Sequence, residues 1–332
     1  MKKIVVLMLC SLMATLAFGG GAQDGTGAKE EVYTLRLTTA VTADDPVTVH
    51  MQILADELEK KSNGRLKVSV FHSSQLGSTE DTQEQAKVGA DIGFLSDPGR
   101  FSTIVPEMGI MAGPFLLDDI FQVNKIMETS AYKRWVKELD EKHGIVELST
   151  NWFSGQRHFV TNQPVRTPDD LNGLRIRTMG APIYIESINA MGGVGTAMPW
   201  SEAYQAIQQK VVDGLEAQFS AIDGSRLYEV AKYVSKTGHF HLLNGIAVGS
   251  KWFYKLPEDL QILLREEAAR VGDMQVRDMV EKRKYYEQVL QENGMTIIEP
   301  DVDLFREATR KVYDKLGYKE LYDEIRKEIE SN

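Results

Sequence analysis

Residues 257 to 293 form one long helical pattern that opens on Pro257 and contains a single weak helix former, Gly272. Proline is well tolerated in the first turn of a helix, and no other residue in the run would end one. At 1.5 Å per residue the pattern predicts a helix of about 50 Å. A small domain is narrower than that, so we expect this helix to bridge two parts of the fold.

Strand-like and helix-like segments alternate twice ahead of this helix. Strand patterns lie at 33–40, 66–71, 90–96 and 144–150, and the alternation restarts after residue 151 with short strands at 157–161 and 174–178. Such alternation is typical of βαβ units on a mainly parallel sheet. We therefore predict an α/β protein with two lobes around a cleft, residues 31–154 with 243–282 and residues 155–242 with 283–332. The lobes should close about strand crossings near 150–157 and 240–245 while the long helix flexes near Gly272.

The N-terminus has the pattern of a secretory signal peptide. Lys2 and Lys3 precede an apolar run that ends in small residues, which predicts a signal peptide over residues 1–22 and cleavage near Ala22. The run is shorter than the roughly 20 residues of a membrane helix. Cys10 lies inside it, and the bulky Leu9 before Cys10 disfavours lipid attachment there. We expect an exported, periplasmic protein.

The charge balance excludes several classes of partner and chemistry. The chain has 38 Lys and Arg against 48 Asp and Glu, a formal charge of −10, and loss of Lys2 and Lys3 takes it to −12. Nucleic-acid binding rests on clustered basic charge, which this sequence lacks. Without Cys10 the mature chain has no disulfide, thiolate nucleophile or cysteine-bound metal.

The spacing of two histidines is the one sequence feature that favours an enzyme, a metal-dependent one. His239 and His241 alternate along a strand pattern, so both rings would lie on one face. Two ligands with no third one nearby more often mark a polar strand face than a metal site. An exported metal-dependent enzyme therefore stays the less favoured alternative.

Arginines on short strands favour a binding protein instead. The strand at 174–178 places Arg175 and Arg177 on one face, and Arg157 lies on a neighbouring strand pattern. A guanidinium on a rigid strand binds a carboxylate through two parallel hydrogen bonds, which lysine cannot do. We interpret these arginines as a clamp for a small organic acid, although a surface strand with solvated arginines has the same pattern.

Several motifs, in a fixed order, resemble the solute-binding proteins of TRAP (tripartite ATP-independent periplasmic) transporters, the DctP-type family. FHSSQLG at 71–77 is similar to the family's PSSQLG, VGADIGF at 88–94 to GxxDxxF, and PEMGIMAGPFLLDD at 106–119 to PExxvxxlPFLf. GLRIR, followed by MPWSEAYQAIQQKVVDGLEAQ, is similar to GLKLR and MPFSEVYxALQxGxVDGqEN. The resemblance runs from about Tyr33 to the C-terminus and implies a periplasmic-binding-protein fold with a long bridging helix.

The resemblance also implies which residues bind the ligand. Arg177 matches the arginine that clamps the substrate carboxylate, Arg157 a second arginine, and Trp200 an aromatic residue that packs on the ligand. Phe94 and Ser96 are expected to face the cleft from the third strand. It further implies a monomeric receptor without a cofactor that delivers an organic acid to the small and large TRAP membrane subunits.

Three positions depart from the family pattern. Ala217 stands where the family has asparagine, Ala40 where a polar contact is common, and Ser96 where the residue is often acidic. An unpaired hydroxyl on a buried ligand costs about 1–3 kcal/mol, so we expect a smaller or less polar carboxylate than a sugar acid. C4-dicarboxylates, 2-oxo acids and aromatic or branched monocarboxylates all stay open. A receptor for a more apolar ligand, working with a helical-repeat partner, is the other alternative.

Overall fold

Nine strands form one continuous sheet within residues 31–331, the part of the chain that the computed structural model describes. The signal peptide predicted for residues 1–22, including Cys10, lies outside the described residues. The strands are β1 Tyr33–Thr38, β2 Leu66–Phe71, β3 Ile92–Ser96, β4 Ile145–Thr161, β5 Arg175–Thr178, β6 Val194–Ala197, β7 Gly214–Ala217, β8 Tyr233–Gly249 and β9 Thr296–Ile298.

Two long strands join the halves of this sheet. The strand order is β2-β1-β3-β8-β4-β7-β5-β6, and β9 pairs with β8. Pairing is parallel between β1 and its neighbours β2 and β3, and between β5 and its neighbours β6 and β7. In contrast, β4 and β8, 17 residues each, are antiparallel to one another. We call the part with β1, β2 and β3 the first half and the part with β5, β6 and β7 the second half.

The sequence predicted two separate strands, at 144–150 and 157–161, where the structure has the single strand β4. Register shifts against β8 occur at four points between Glu147 and Phe159. Such bulges let a strand bend and twist without losing its partner. The chain therefore crosses from one half of the sheet to the other without a break.

Helices cover both faces of the sheet, and local sequence explains their ends. The side chain of Asp45 accepts from the Val47 N–H at 2.9 Å at the start of α1, and Ser78 with Asp81 forms a capping box on α2. The helices are α1 Pro46–Lys61, α2 Thr79–Val88, α3 Pro98–Phe101, α4 Val123–Glu128, α5 Ser130–His143, α6 Pro182–Ala190, α7 Ala203–Gln208, α8 Phe219–Gly224, α9 Ser250–Phe253, α10 Glu258–Glu292, α11 Val302–Lys315 and α12 Lys319–Ser331. None of these described helices is long and apolar enough to cross a membrane.

The predicted long helix is confirmed as α10, and polar side chains hold its middle against β4. Asn151 Nδ2 donates to the Ala269 carbonyl and to Asp273 Oδ1, both at 2.8 Å, and Trp152 Nε1 donates to the Ala268 carbonyl at 3.0 Å. The Gln275 side chain bonds both the N–H and the C=O of Phe153, at 2.9 and 2.8 Å. This contact ties the helix to the strand that crosses between the two halves.

Gly272 lies at the centre of this contact, and Gly272→Ala should destabilise the protein. A Cβ there would lie 2.4 Å from Asn151 Oδ1 and 2.9 Å from the Trp152 ring. Alanine gains about 1 kcal/mol of helix propensity, but overpacking a buried contact costs about 1–3 kcal/mol, and the Asn151 hydrogen bonds would be lost as well. We expect a lower free energy of unfolding in urea.

Gly180→Ala is the matched control, because a Cβ at Gly180 would meet only Ala197 Cβ, at 3.9 Å. Its stability should equal that of the wild type or exceed it slightly. Equal stability of both variants would show that α10 and β4 can separate at no cost.

The apolar core shows how the C-terminal helices are distributed. The main cluster contains Leu35 of β1 and Phe94 of β3, and also Ile325 and Ile329 of α12. A smaller cluster in the second half contains Phe305 of α11. The last helix, α12, packs on α4 and on the 3-10 helix Pro106–Ala112, both of which precede β4 in the chain. The predicted lobe boundaries fall inside β4, β8 and α10 and stay predictions.

Candidate functional site

A cavity lies between the two halves of the sheet, against the crossing strands. Its lining includes Thr39, Phe94 and Asp97 from the first half and Arg177 and Trp200 from the second. The space open to the centre of a water-sized sphere is about 80 Å³. One water needs roughly 10–15 Å³ by that measure, so the cavity, called the cleft cavity below, has room for a small molecule.

Arg177 is the most buried cation of this cavity, with 1% of its surface exposed. Its Nε and Nη2 both donate to the Met198 carbonyl, at 2.9 and 2.7 Å, and its guanidinium lies 5.4 Å from the centre of the Trp200 ring. Burial lowers the pKa of Arg177 to about 9, and the negative charge of Glu216 only partly opposes this. No carboxylate of the described residues forms an ion pair with it. Arg177 is thus a desolvated charge that lacks a direct counter-ion.

Arg157 also borders the cavity but already has a counter-ion. Its Nε donates to the Glu216 carboxylate and its Nη1 to Gln218 Oε1 at 2.6 Å. Glu216 accepts a further bond from Thr178 Oγ1 at 3.0 Å, and both members of the ion pair are almost fully buried. The pair forms a rigid, nearly neutral floor beneath the cavity.

Sequence reasoning missed a third arginine, Arg100, and the carboxylate beside it, Asp97. Both line the cavity and follow the carboxyl end of β3. Arg100 pairs with Glu80, and its Nε lies 3.4 Å from Asp97 Oδ2. Asp97 Oδ1 accepts from the hydroxyl of Tyr184 in the second half at 2.7 Å. Polar residues directly after a strand were the available signal, because ligand sites of α/β sheets collect at these ends.

Asp97 should make the stability of the protein depend on pH. Burial raises its pKa to about 6, although hydrogen bonds from Tyr184 and Gly99 oppose the rise, and Oδ2 has no hydrogen-bond partner. The folded state therefore holds this proton more tightly than the unfolded state does. The contribution of Asp97 to the free energy of unfolding is most favourable below about pH 4 and falls as the pH rises through 6, by up to about 3 kcal/mol.

Comparison with Asp97→Asn isolates this effect, since the two proteins share every other titrating group. Urea unfolding at several pH values between 4 and 7 should show the wild type losing stability relative to the variant as the pH rises. Curves that stay parallel over this range would contradict the assignment.

The remaining predicted site residues divide into two groups. Ala40, Phe94 and Trp200 line the cleft cavity, together with Arg157 and Arg177. Ser96 does not line it, because its hydroxyl donates to Glu147 Oε1 at 2.6 Å inside the protein. Ala217 does not line it either: it pairs with His158 across β4 and β7 and is fully buried in an apolar cluster.

The cavity has hydrogen-bonding groups despite the departures at Ala40 and Ala217, and several of them bond other protein groups: Ser154 Oγ donates to Asn244 Oδ1 at 2.5 Å, and Asn244 Nδ2 donates to the Ser96 carbonyl at 2.9 Å. Hydroxyl and amide groups of Thr39, Ser154, Gln218 and Asn244 line it, besides Asp97. Ser154 and Asn244 lie on the crossing strands β4 and β8, and Gln218 directly follows β7. The departures at Ala40 and Ala217 are therefore not a measure of the cavity's polarity.

The two histidines of the alternative reading lie in different environments. His239 is fully buried and stacks on Phe159 with ring centres 4.5 Å apart, whereas His241 lies 3.1 Å from Gln156 Nε2 and borders a second cavity. Burial lowers the pKa of His239 well below its usual value and that of His241 to about 4. Among residues 31–331 no group of three His, Cys, Asp or Glu is placed to hold a metal ion.

Solved structures with the same architecture include ligand-bound and open forms. A TRAP periplasmic solute-binding protein from Ochrobacterium anthropi with bound L-fuconate matches with a TM-score of 0.87 and 33% identity, covering 90% of this chain and 99% of that one. One from Escherichia fergusonii, in an apo open form, matches with a TM-score of 0.76 and 37% identity, covering 89% and 99%. The backbone described here is thus more similar to the ligand-bound structure, although its sequence is closer to that of the open one.

Sequence comparisons agree with this architecture. A solute-binding protein from Chromohalobacter salexigens is 32% identical over 269 residues, which is 80% of this chain and 79% of that protein. The family model described as DctP, bacterial extracellular solute-binding protein, family 7, matches residues 37–320. The α/β fold predicted from the sequence is confirmed, with the two-lobe architecture of its structural neighbours. The chain therefore belongs to family 7 of the bacterial extracellular solute-binding proteins, the DctP-type solute-binding proteins of TRAP transporters.

Proposed function

We propose that this protein is the extracytoplasmic receptor of a TRAP transporter and that it captures an organic acid by its carboxylate. The observation that supports this most directly is Arg177, a buried guanidinium at the cleft cavity without a carboxylate partner. A ligand carboxylate would supply the missing charge in a water-poor site, where a charge-assisted pair is strong. Arg157 contributes less net charge, because Glu216 already neutralises it.

The polar lining of the cleft cavity favours an organic acid with hydroxyl groups over one without them. Thr39, Ser154, Gln218 and Asn244 offer hydroxyl and amide groups, and Asp97 Oδ2 is an acceptor without a hydrogen-bond donor. A ligand hydroxyl that donates to Asp97 Oδ2 would satisfy this buried acceptor, which is worth about 1–3 kcal/mol. Solved neighbours with bound L-fuconate, L-galactonate and D-glucuronate support the same class, and a relative from Rhodobacter capsulatus is named for C4-dicarboxylates.

The two-part architecture supports the proposed delivery of the bound acid to the membrane subunits. The cavity has walls from both halves of the sheet, and Tyr184 of the second half donates a hydrogen bond to Asp97, which lines the cavity. A ligand between the halves would stabilise the closed arrangement that the membrane subunits recognise, and β4, β8 and α10 would act as the hinge. The signal peptide predicted for residues 1–22 would bring the receptor to the periplasm.

Two measurements on the mature protein test the proposal. Native mass spectrometry of protein purified from cells would identify a retained ligand, and calorimetry would rank L-fuconate, D-glucuronate, succinate and sn-glycerol 3-phosphate. We expect a sugar acid to bind at least tenfold more tightly than succinate. If succinate bound more tightly than the sugar acids, the preference for a hydroxylated acid would be overturned. If the protein bound neither carboxylates nor phosphates, the proposal that it is a receptor for anions would be overturned.

The alternatives have weaker support. A receptor for an apolar ligand with a helical-repeat partner conflicts with the charges of Asp97, Arg100 and Arg177 around the cleft cavity. A metal-dependent enzyme would need the rings of His239 and His241 to converge, and they lie in different environments.

A further inference from the structure

A second cavity lies on the other side of β4 from the cleft cavity. Ser154 and Arg157 line the cleft cavity, whereas Gly155 and His158 line the second one. The space open to the centre of a water-sized sphere is about 270 Å³ here, against about 80 Å³ in the cleft cavity. By this measure the second cavity is larger than the cleft cavity.

Most of the wall of this second cavity is apolar and comes from three directions. Phe153 belongs to β4, Phe219 begins α8, and Met279 and Val280 lie on α10. Ile120 and Phe121, which lie between β3 and β4 in the chain, line it as well. Phe121 is 45% exposed and Val280 44%, so the chamber opens to solvent at these side chains. An apolar chamber of this size with an open rim can admit an aryl ring or a short alkyl chain.

The same space continues into a polar chamber of about 290 Å³, which shares Asp118, Gln156, His158, His241 and Arg283 with the apolar one. Arg283 and Arg306 line the polar chamber, and among residues 31–331 neither forms an ion pair with a carboxylate. The guanidinium of Arg306 lies over the ring of Phe115 at 4.7 Å. Cations without counter-ions at one end of an apolar chamber are complementary to an anion.

His158 adds a neutral donor at the junction of the two chambers. The N–H of Gly238 donates to His158 Nδ1 at 3.0 Å, so the proton of the neutral ring is on Nε2. Burial and nearby arginines lower the pKa of His158 to about 3, so the ring is neutral at physiological pH. Two carboxylates, Asp118 and Asp119, also line the apolar chamber: Asp118 pairs with Arg326 at 3.2 Å, and Asp119 accepts from the Phe121 N–H at 3.0 Å.

We propose that these two joined chambers form a second binding site, separate from the cleft cavity, for a small amphipathic anion. An aryl or short alkyl group would occupy the apolar chamber, and a carboxylate or sulfonate would bind Arg283 and the Nε2–H of His158. The site stands independently of which acid occupies the cleft cavity, so its failure would leave the proposed receptor function intact.

Gln218 couples this second site to the cleft cavity. It lines both, and its Oε1 accepts from Arg157 Nη1 at 2.6 Å. The second site takes its walls from the crossing strands β4 and β8, from α8 and α10 and from residues 118–121, in a backbone conformation that is more similar to a ligand-bound neighbour than to an open one. An occupant that fits this conformation stabilises it, and by linkage it should raise the affinity of the cleft cavity for its acid.

Fluorescence titration of the mature protein with anilinonaphthalene sulfonate, an amphipathic aromatic anion, tests the site. We expect saturable binding of one dye per chain, with displacement by octanoate at lower concentrations than by uncharged octanol. Binding that does not saturate, or equal displacement by octanol, would overturn the proposal. Thermal unfolding of each protein is recorded beside the titration, because dyes of this type also bind misfolded chains.

Four variants locate the dye. Val280→Trp fills the apolar chamber from its exposed rim and should weaken binding at least tenfold, whereas Arg283→Ala should weaken it about two- to fivefold, as expected for a partly exposed ion pair. Arg277→Ala, an exposed arginine on the same helix outside the cavity, should bind the dye as the wild type does. Arg177→Ala should also leave dye binding unchanged. Loss of binding in Arg177→Ala with retention in Val280→Trp would place the dye in the cleft cavity and overturn the second site.

Coupling is tested last, with calorimetry of the acid that binds most tightly in the ligand panel. Saturating octanoate should raise the affinity for that acid at least twofold in the wild type and have no effect in Val280→Trp. An unchanged or lower affinity in the wild type would overturn the coupling.

Discussion

Arg177→Ala is expected to weaken binding of the carboxylate ligand by roughly 30-fold to several-thousand-fold. Removing one partner of a buried charge pair costs about 2–5 kcal/mol, and each 1.4 kcal/mol is about a factor of ten in affinity. The loss should fall mainly on binding, because within residues 31–331 the Arg177 guanidinium donates to the Met198 carbonyl and pairs with no carboxylate. Calorimetry with the tightest acid of the panel measures it.

Two further variants separate charge from geometry. Arg177→Lys keeps the charge but loses the two-pronged donor, so it should recover only part of the lost affinity. Arg175→Ala is the matched control, two residues earlier on β5: its side chain is 45% exposed, pairs with Asp213 at 2.9 Å and does not line the cavity. A folded Arg177→Ala protein that binds within a few-fold of the wild type would remove the clamp from the proposed function.

Arg157→Ala is expected to lower the stability of the protein by about 3–5 kcal/mol, because it leaves the Glu216 carboxylate buried without its cation. Gln218 would lose its donor as well. Urea unfolding of the ligand-free protein measures the effect. Arg175→Ala breaks an exposed pair with Asp213 and should change stability far less.

The double variant Arg157→Met with Glu216→Leu tests the cause. Replacing both members of a buried ion pair by apolar residues is often nearly neutral for stability. The double variant should therefore be more stable than Arg157→Ala alone. If Arg157→Ala were as stable as Arg175→Ala, the ion pair would not be the rigid floor of the cavity described above.

For Arg175 and Arg177 the sequence predicted the strand on which they lie but not how deeply each side chain is buried. A period of two placed Arg175 and Arg177 on the same face of a short strand, and the strand exists as β5. Only the tertiary structure separates them: Arg175 reaches solvent and Asp213, whereas Arg177 is buried beside Met198 and Trp200. The resemblance to a family pointed to Arg177 and not to Arg175, because a family motif carries information about tertiary position that strand periodicity lacks.

The residues that sequence reasoning missed or misplaced depend on long-range contacts. Arg100 and Asp97 face the cavity because α3 follows β3 there, and Tyr184, 87 residues later in the chain, bonds Asp97. Ser96, one position before Asp97, is turned inward by its bond to Glu147. Neither outcome can be derived from the alternation of a single strand.

The sequence by itself determined the elements of this protein: the α/β alternation, the capped starts of α1 and α2, and the long helix α10. These features depend on neighbours within a few positions, where spacing, proline and capping residues act directly. Only the tertiary structure decided that β4 is one strand with register shifts, that α12 packs on α4, and that Arg157 pairs with Glu216, 59 residues later in the chain. The same holds for the two cavities on opposite sides of β4, because a cavity is a property of how distant segments pack and leaves no local period in the chain.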